Sequence, residues 1–353
     1  MMHYPIKMLY NILKIYRFRL TIKRIANLIV LGASMGISKL LRRTVSWGGP
    51  ALLMVEPTNL CNLKCPMCPS GAGEMTRQRG KMDLLKYKNI IDQIGDRVML
   101  IQFWNQGEPF IHAGFLEMVT YAKSRHIATM TSTNGHFLVT AEKAEAVIRS
   151  GLDEIIVSLD GLDQKTYEKY RVGGKYQTVL DGIRNLISMK NKLGSTSPIV
   201  HMQFLVLKHN EEQIEDVIQL GRDLGVDLIS LKSAQVYSDK QAEEYLPENE
   251  SFKRYDTCGK TSQIKSSFPN WCKFLWYGAV LNWDGAIAPC CFDKDGEFAY
   301  GNVFGQETSF QSVWVGDRRR KFLNQILKDR ALFPMCRNCF EGMKQDYVKY
   351  VVP

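Results

Sequence analysis

An α/β fold is what this sequence predicts, and three observations predict it. Six apolar stretches of strand length, at 51–56, 98–104, 127–133, 154–160, 199–207 and 227–232, alternate with helix-period segments at 82–94, 113–124, 140–150, 176–192 and 211–224. That alternation implies a parallel sheet with crossover helices. Several of the strand candidates run straight into chemically loaded segments, and right-handed crossovers gather such loops on the face at the strand C-terminal ends. The third observation is size: 353 residues, 45% hydrophobic and 23% charged, suit two domains or one large barrel with an appendage, around a sizeable core.

Residues 1–48 read as a basic amphipathic helical arm, helical over 4–45, with Gly32 and Gly36 as weak points. Its longest charge-free run, Ile25 to Ser38, is fourteen residues, whereas a spanning helix needs about 20. A transmembrane segment is therefore not expected, and the apolar run starts too late for a signal peptide. Two readings stay open: the arm lies on an anionic membrane surface, or it packs across the barrel with its lysines solvated. The net charge of +10 belongs to this arm. Residues 1–55 hold nine Lys/Arg and no Asp or Glu, which leaves 37 basic against 36 acidic residues in the rest. No nucleic-acid partner is expected from a body so close to neutral.

Directly after the first strand comes Cys61-Asn62-Leu63-Lys64-Cys65-Pro66-Met67-Cys68, a C-x3-C-x2-C loop with no further cysteine before Cys258. Three thiolates on one loop can hold three irons of a cubane cluster and leave the fourth iron open to a small molecule. A zinc knuckle short of one ligand, or three buried thiols, are the plainer readings. The spacing resembles the signature of the radical S-adenosylmethionine (radical SAM) enzymes, in which the open iron binds the amino and carboxylate groups of SAM.

Segments at the following strand ends extend the resemblance. Asn105-Gln106-Gly107-Glu108-Pro109 resembles the Gly-Gly-Glu-Pro-like segment whose backbone meets the SAM methionine amine, a glycine permitting close approach. Ser132-Thr133-Asn134-Gly135 resembles the family's Thr-Asn-Gly turn, which is otherwise an ordinary Asn-Gly turn. Ser158 and Arg171 fall where related enzymes contact the SAM ribose and carboxylate, and arginine can grip a carboxylate bidentately. The resemblance thus implies SAM contacts at Gln106, Gly107, Glu108, Pro109, Thr133, Asn134, Ser158 and Arg171. Glu108 and Asp160 invite an acid/base pairing, but with no substrate pose they receive no catalytic role, and catalytic residues stay unassigned.

Polar composition marks 236–257 as a linker. Beyond it lie Cys258, Cys272, Cys290, Cys291, Cys336 and Cys339, the hairpin signal Asn282-Trp283-Asp284-Gly285, and a helix expected over 309–328. This run resembles the SPASM or twitch extension of radical SAM enzymes. Carried over residue by residue, Cys272, Cys290, Cys336 and Cys339 would hold one auxiliary 4Fe–4S cluster, with Cys291 as the alternative to Cys290. Cys258 is left over as a buried thiol, a further ligand or a group near substrate. The rival is a structural zinc site. The Arg318–Arg320 run reads as a solvated helix face or as a dock for an acidic electron donor, a flavodoxin or ferredoxin.

The resemblance implies a partial (β/α)6 TIM-like barrel over 49–235, a small α+β cluster domain over 258–345 and a tail over 346–353. It implies two 4Fe–4S clusters and SAM, reductive SAM cleavage to a 5′-deoxyadenosyl radical, and hydrogen abstraction from a substrate carbon. Clustered cysteines of this kind belong in a reducing compartment, so a cytoplasmic protein is expected, membrane-associated if the arm lies on a bilayer. The substrate expectation leans to a sugar, cyclitol or lipid-linked molecule, with a peptide or protein as the alternative; a non-catalytic scaffold or electron carrier is the rival class.

Overall fold

The structure, a computed structural model, describes residues 19–258, 261–305, 308–344 and 346–353. The arm's helix is thus seen from Ile22 to Leu41 (α1); the part expected over 4–18 lies outside the described residues. Six parallel strands follow: β1 (Leu52–Val55), β2 (Leu100–Phe103), β3 (Ala128–Thr133), β4 (Glu154–Ser158), β5 (Ile199–Val206) and β6 (Leu228–Ser233). Between them run α2 (Leu84–Ile94), α3 (Phe115–Ser124), α4 (Ala141–Arg149), α5 (Gln164–Tyr170), α6 (Tyr176–Lys192) and α7 (Ile214–Leu224). Asp83, Thr140 and Asp163 cap α2, α4 and α5 with side-chain oxygens that accept from N3 amides.

Strand alternation decides what the sheet's two faces do. Leu53, Val55, Ile101, Phe103, Ile155 and Val157 are fully buried under the helices. Their neighbours Gln102, Met130, Ile156 and Gln203 turn the other way and line a cavity of about 460 Å³. A period of two along each strand therefore builds a core on one side and a ligand-sized lumen on the other.

The C-terminal third is woven into both edges of this sheet. After a two-stranded ribbon, β7 (Tyr255–Cys258) with β8 (Thr261–Ile264), strand β9 (Gly278–Leu281) pairs parallel with β1. Its hairpin partner β10 (Ile287–Ala288) follows the expected turn, with Gly285 at φ +88°. At the far edge β11 (Val348–Val351) pairs antiparallel with β6, giving nine strands in the order β10-β9-β1-β2-β3-β4-β5-β6-β11. The expected tail is thus an edge strand.

Two further expectations change. The presumed linker carries α8 (Asp239–Tyr245), capped by Ser238. Its Ala242 and Tyr245, with Leu246, are buried against Leu63, Cys65 and Met67, so a polar composition hid one apolar face. The helix expected over 309–328 is two, Phe310–Trp314 and α9 (Asp317–Lys328), parted at Gly316. Arg319 is not solvated. Its guanidinium donates to Ser46 Oγ and to Leu275 O and lies 3.6 Å from the Trp314 ring centroid, because helical periodicity turns one of three consecutive arginines inward.

Candidate functional site: two groups of thiols

The Cys61–Cys68 loop leaves β1 at its C-terminal end and is held from below. Ser70 Oγ donates to Asn59 O at 2.7 Å, Asn59 Nδ2 to Gln78 O at 2.8 Å, and Thr58 Oγ1 to Gly80 O at 2.6 Å. The backbone then curls over Cys65 and Cys68: Cys68 N donates to Cys65 O at 3.1 Å and Ala72 N to Cys68 O at 2.7 Å. Lys64 N donates to Val172 O at 2.9 Å, tying the loop to the segment just past Arg171.

Gly107 belongs to this scaffold. Its φ is +76°, and a Cβ there would lie 2.5 Å from Thr58 O and 2.6 Å from Leu60 O. A close approach that demands glycine is thus made here to the chain leading into the cysteine loop. Gly107→Ala is expected to destabilise the fold by about 2–4 kcal/mol, through left-handed backbone and steric conflict together; a thermal melt reads this, and an unchanged melting temperature refutes it.

Glu108 serves the next turn. It is 5% exposed, its Oε1 accepts from Thr133 Oγ1 at 2.8 Å and its Oε2 from Asn134 N at 2.7 Å. Asn134 Nδ2 in turn donates to Asn62 Oδ1 at 2.8 Å, so the Thr133–Asn134 turn is fastened to the cysteine loop. Burial pushes the Glu108 carboxyl up to about 6 against the pull of those donors. A raised carboxyl pKa adds stability below the unfolded value and loses it as pH rises through the folded one. The cluster-free chain should lose about 1 kcal/mol from this group between roughly pH 4.5 and 6. Chemical denaturation at the two ends of that range should show the loss, and Glu108→Gln should lack it.

Arg171 follows α5 and is a cation beside the first thiols. Its Nε donates to Asp160 Oδ2 at 2.5 Å, and Nη1 lies 4.0 Å from Cys65 Sγ. Burial alone would lower its pKa; Asp160 and the Cys65 sulfur outweigh that and hold it well above the ordinary value. Asp160, fully buried, also accepts from Leu205 N at 2.7 Å, so it orients Arg171 from a fixed post. Ser158 is buried at the end of β4 in register with Gln203. Pro109 opens a short 3-10 turn capped by Glu108, and Gln106 is buried with Oε1 unpartnered among the described residues.

The second group gathers around another cavity of about 460 Å³. Cys272, Cys290, Cys336 and Cys339 all line it, as do Cys291 and Arg330. Cys290 and Cys291 share this lining, so both alternatives stand. The side chain of Cys258 lies outside the described residues. Arg330 is 1% exposed and donates to Trp271 O and Glu341 O; the neighbouring Cys339 and Cys272 keep its pKa up against burial.

The donor set suits iron–sulfur clusters. Burial pushes Cys61 to about 11, Cys272 to about 12 and Cys339 to about 11, and raises Cys65 and Cys290 as well. Buried thiols of this kind ionise on binding metal, with cationic neighbours to offset the charge. Among the described residues no three His, Cys, Asp or Glu side chains close to single-ion spacing; cubane ligands sit on separate irons and are more widely spread.

Reading the sequence missed Lys232, Arg254 and Lys294. Burial lowers the Lys232 pKa to about 8, helped by Arg254 and opposed by Cys291. Lys294 feels Tyr237, Cys291 and Cys68, and Arg254 Nε is buried without a partner among the described residues. The only available signal was isolated basic residues in three unrelated segments, and nothing in sequence links them.

Comparison with known proteins agrees with this architecture. Residues 55–221 match the radical SAM superfamily and residues 272–340 an iron–sulfur cluster-binding domain, SPASM. A tungsten-containing aldehyde ferredoxin oxidoreductase cofactor-modifying protein of Pyrococcus furiosus is 26% identical over 84% of this chain and 89% of its own. The PqqA peptide cyclase of Gluconobacter oxydans is 24% identical over 75% of this chain and 76% of its own. In structure, Streptococcus suis SuiB bound to S-adenosylmethionine aligns with TM-score 0.59 and 15% identity, over 88% of this chain and 76% of that one; at that identity the likeness speaks for the fold. The chain thus carries a radical SAM domain over residues 55–221 followed by a SPASM domain over residues 272–340, on a mixed α/β frame with one nine-stranded, mainly parallel sheet.

Proposed function

We propose that Cys61, Cys65 and Cys68 hold a 4Fe–4S cluster whose open iron takes SAM, and that Cys272, Cys290, Cys336 and Cys339 hold one auxiliary 4Fe–4S cluster. The observation that carries this reading is the pair of partly to wholly buried thiol groups, the first beside Arg171 and the second around one cavity. With cluster and SAM bound, the site supplies reductive cleavage of the sulfonium and hydrogen abstraction from substrate. Arg171, steered by Asp160, is suited to the SAM carboxylate. Gln106 offers a carbonyl oxygen without a partner among the described residues, and Ser158 a buried hydroxyl. Glu108 is a positioning residue: it fixes the Thr133–Asn134 turn relative to Asn62.

For substrate, a peptide is the better reading. The sequence leaned to a sugar, cyclitol or lipid-linked molecule, but the Gluconobacter relative is a peptide cyclase, which favours the peptide alternative. A net two-electron oxidation, with the auxiliary cluster as acceptor and a flavodoxin or ferredoxin as donor, is consistent with two redox sites in one chain. Reconstitution without oxygen should load roughly eight irons per chain, and SAM plus dithionite should yield 5′-deoxyadenosine, faster with the right peptide. Bound zinc and a colourless protein would select the scaffold reading instead.

A further inference from the structure

Helix α1 is amphipathic the wrong way round. Its buried stripe is Arg24, Asn27, Leu31, Ser34 and Ser38, at the three- and four-residue spacing of one helix face. Four of these five are polar, and each finds its partners inward. Arg24 donates to the carbonyls of Arg19, Gly95, Arg125 and His126, the last three at the C-terminal ends of α2 and α3, where a cation is favoured. Asn27 exchanges two hydrogen bonds with Gly49, and Ser34 and Ser38 both donate to Val45 O.

The opposite face is apolar and faces outward. Ile22 is 88% exposed, Leu40 81% and Ile29 67%, with Leu41, Leu20 and Ile25 also exposed. Over 20 residues that is a strip about 30 Å long, whereas single exposed apolar residues need no explanation. Its flanks are cationic. Lys39, Arg42 and Arg43 are exposed at its C-terminal end, beside the half-exposed Trp47. Asp96, paired with Lys23, is an acid at its N-terminal end.

We propose that this outward face docks on an anionic lipid bilayer, with α1 lying in the plane of the headgroups. Charge complementarity argues for lipid: Lys39, Arg42 and Arg43 are exposed at one end of the strip, and residues 1–55 hold no acidic residue, which suits an interfacial helix. The helix is long and apolar enough to cross a membrane, but crossing would take Arg24 from four carbonyls into hydrocarbon. Arg24 anchors α1 to segments that lead into β2 and β3, the end of the sheet opposite the Cys61 loop. Docking therefore leaves the Cys61 loop facing the aqueous phase.

The test is co-flotation of the full chain with vesicles of phosphatidylglycerol and phosphatidylethanolamine, and with phosphatidylcholine alone. Wild type should float with the anionic vesicles and much less with phosphatidylcholine. Ile22→Asp/Ile29→Asp/Leu40→Asp should lower the bound fraction about tenfold or more without changing elution volume or melting temperature. Leu40→Asp alone, at the helix end, should give a smaller drop in the same direction if the triple variant proves unstable. No flotation of wild type, flotation indifferent to these substitutions, or equal binding to phosphatidylcholine would each overturn the proposal. So would a wild-type dimer that the substitutions turn into a monomer, which assigns the face to a second copy, or binding that appears only once residues 1–18 are removed, which assigns it to the chain's own N-terminus.

Discussion

Cys65→Ala should abolish 5′-deoxyadenosine formation and cut the iron content of the reconstituted protein by about half, while Cys336→Ala should make a similar cut in iron and leave SAM cleavage in place. The two thiol groups justify the contrast. Cys65 is 5% exposed, lies beside Arg171 and is backed by the loop that Asn59 and Ser70 brace. Cys336 belongs to a different cavity with Cys272, Cys290, Cys291 and Cys339. Loss of one buried thiolate leaves a cluster corner without a ligand, but each loop is held by its own hydrogen bonds and should survive the other's damage. Iron assay, visible absorbance and chromatographic detection of 5′-deoxyadenosine decide it. SAM cleavage surviving in Cys65→Ala, or vanishing in Cys336→Ala, would exchange the two assignments or merge them.

Asp160→Asn should cost about 3–5 kcal/mol of stability, since it leaves the Arg171 guanidinium in a largely buried position without its counter-charge. Asparagine keeps an oxygen able to accept from Leu205 N, which isolates the charge. The Arg171 side chain is 16% exposed and that of Asp160 fully buried, so water can compensate little. Denaturant titration measures the loss. SAM affinity in the folded fraction should fall too, because a guanidinium released from Asp160 no longer has one orientation. A variant as stable as wild type would mean that the pair does not form in solution.

Much of this was legible in one dimension. Strand and helix periods are local, and all six core strands and the five crossover helices lie within a few residues of where those periods put them. The C-x3-C-x2-C spacing carries its chemistry in eight residues. Other features were illegible because their cause is remote. The demand for glycine at Gly107 comes from carbonyls of Thr58 and Leu60, about fifty positions upstream. Asp160 could not be matched to Arg171 from composition, nor Arg319 to Ser46 and Leu275. The segment over 236–257 looked like linker because its few apolar residues matter only through what they touch, the underside of the cysteine loop.

By itself, then, the sequence determined the alternating elements, the order of the strand-end motifs and the identity of the sulfur ligands on offer, since each depends on neighbours a turn or two away. Tertiary structure alone decided that β9 and β11 extend the sheet at opposite edges, that five distant cysteines share one cavity, and that α1 turns its polar side inward. Those outcomes rest on which carbonyls, carboxylates and apolar faces meet across gaps of tens to hundreds of residues, and packing settles such meetings where periodicity cannot.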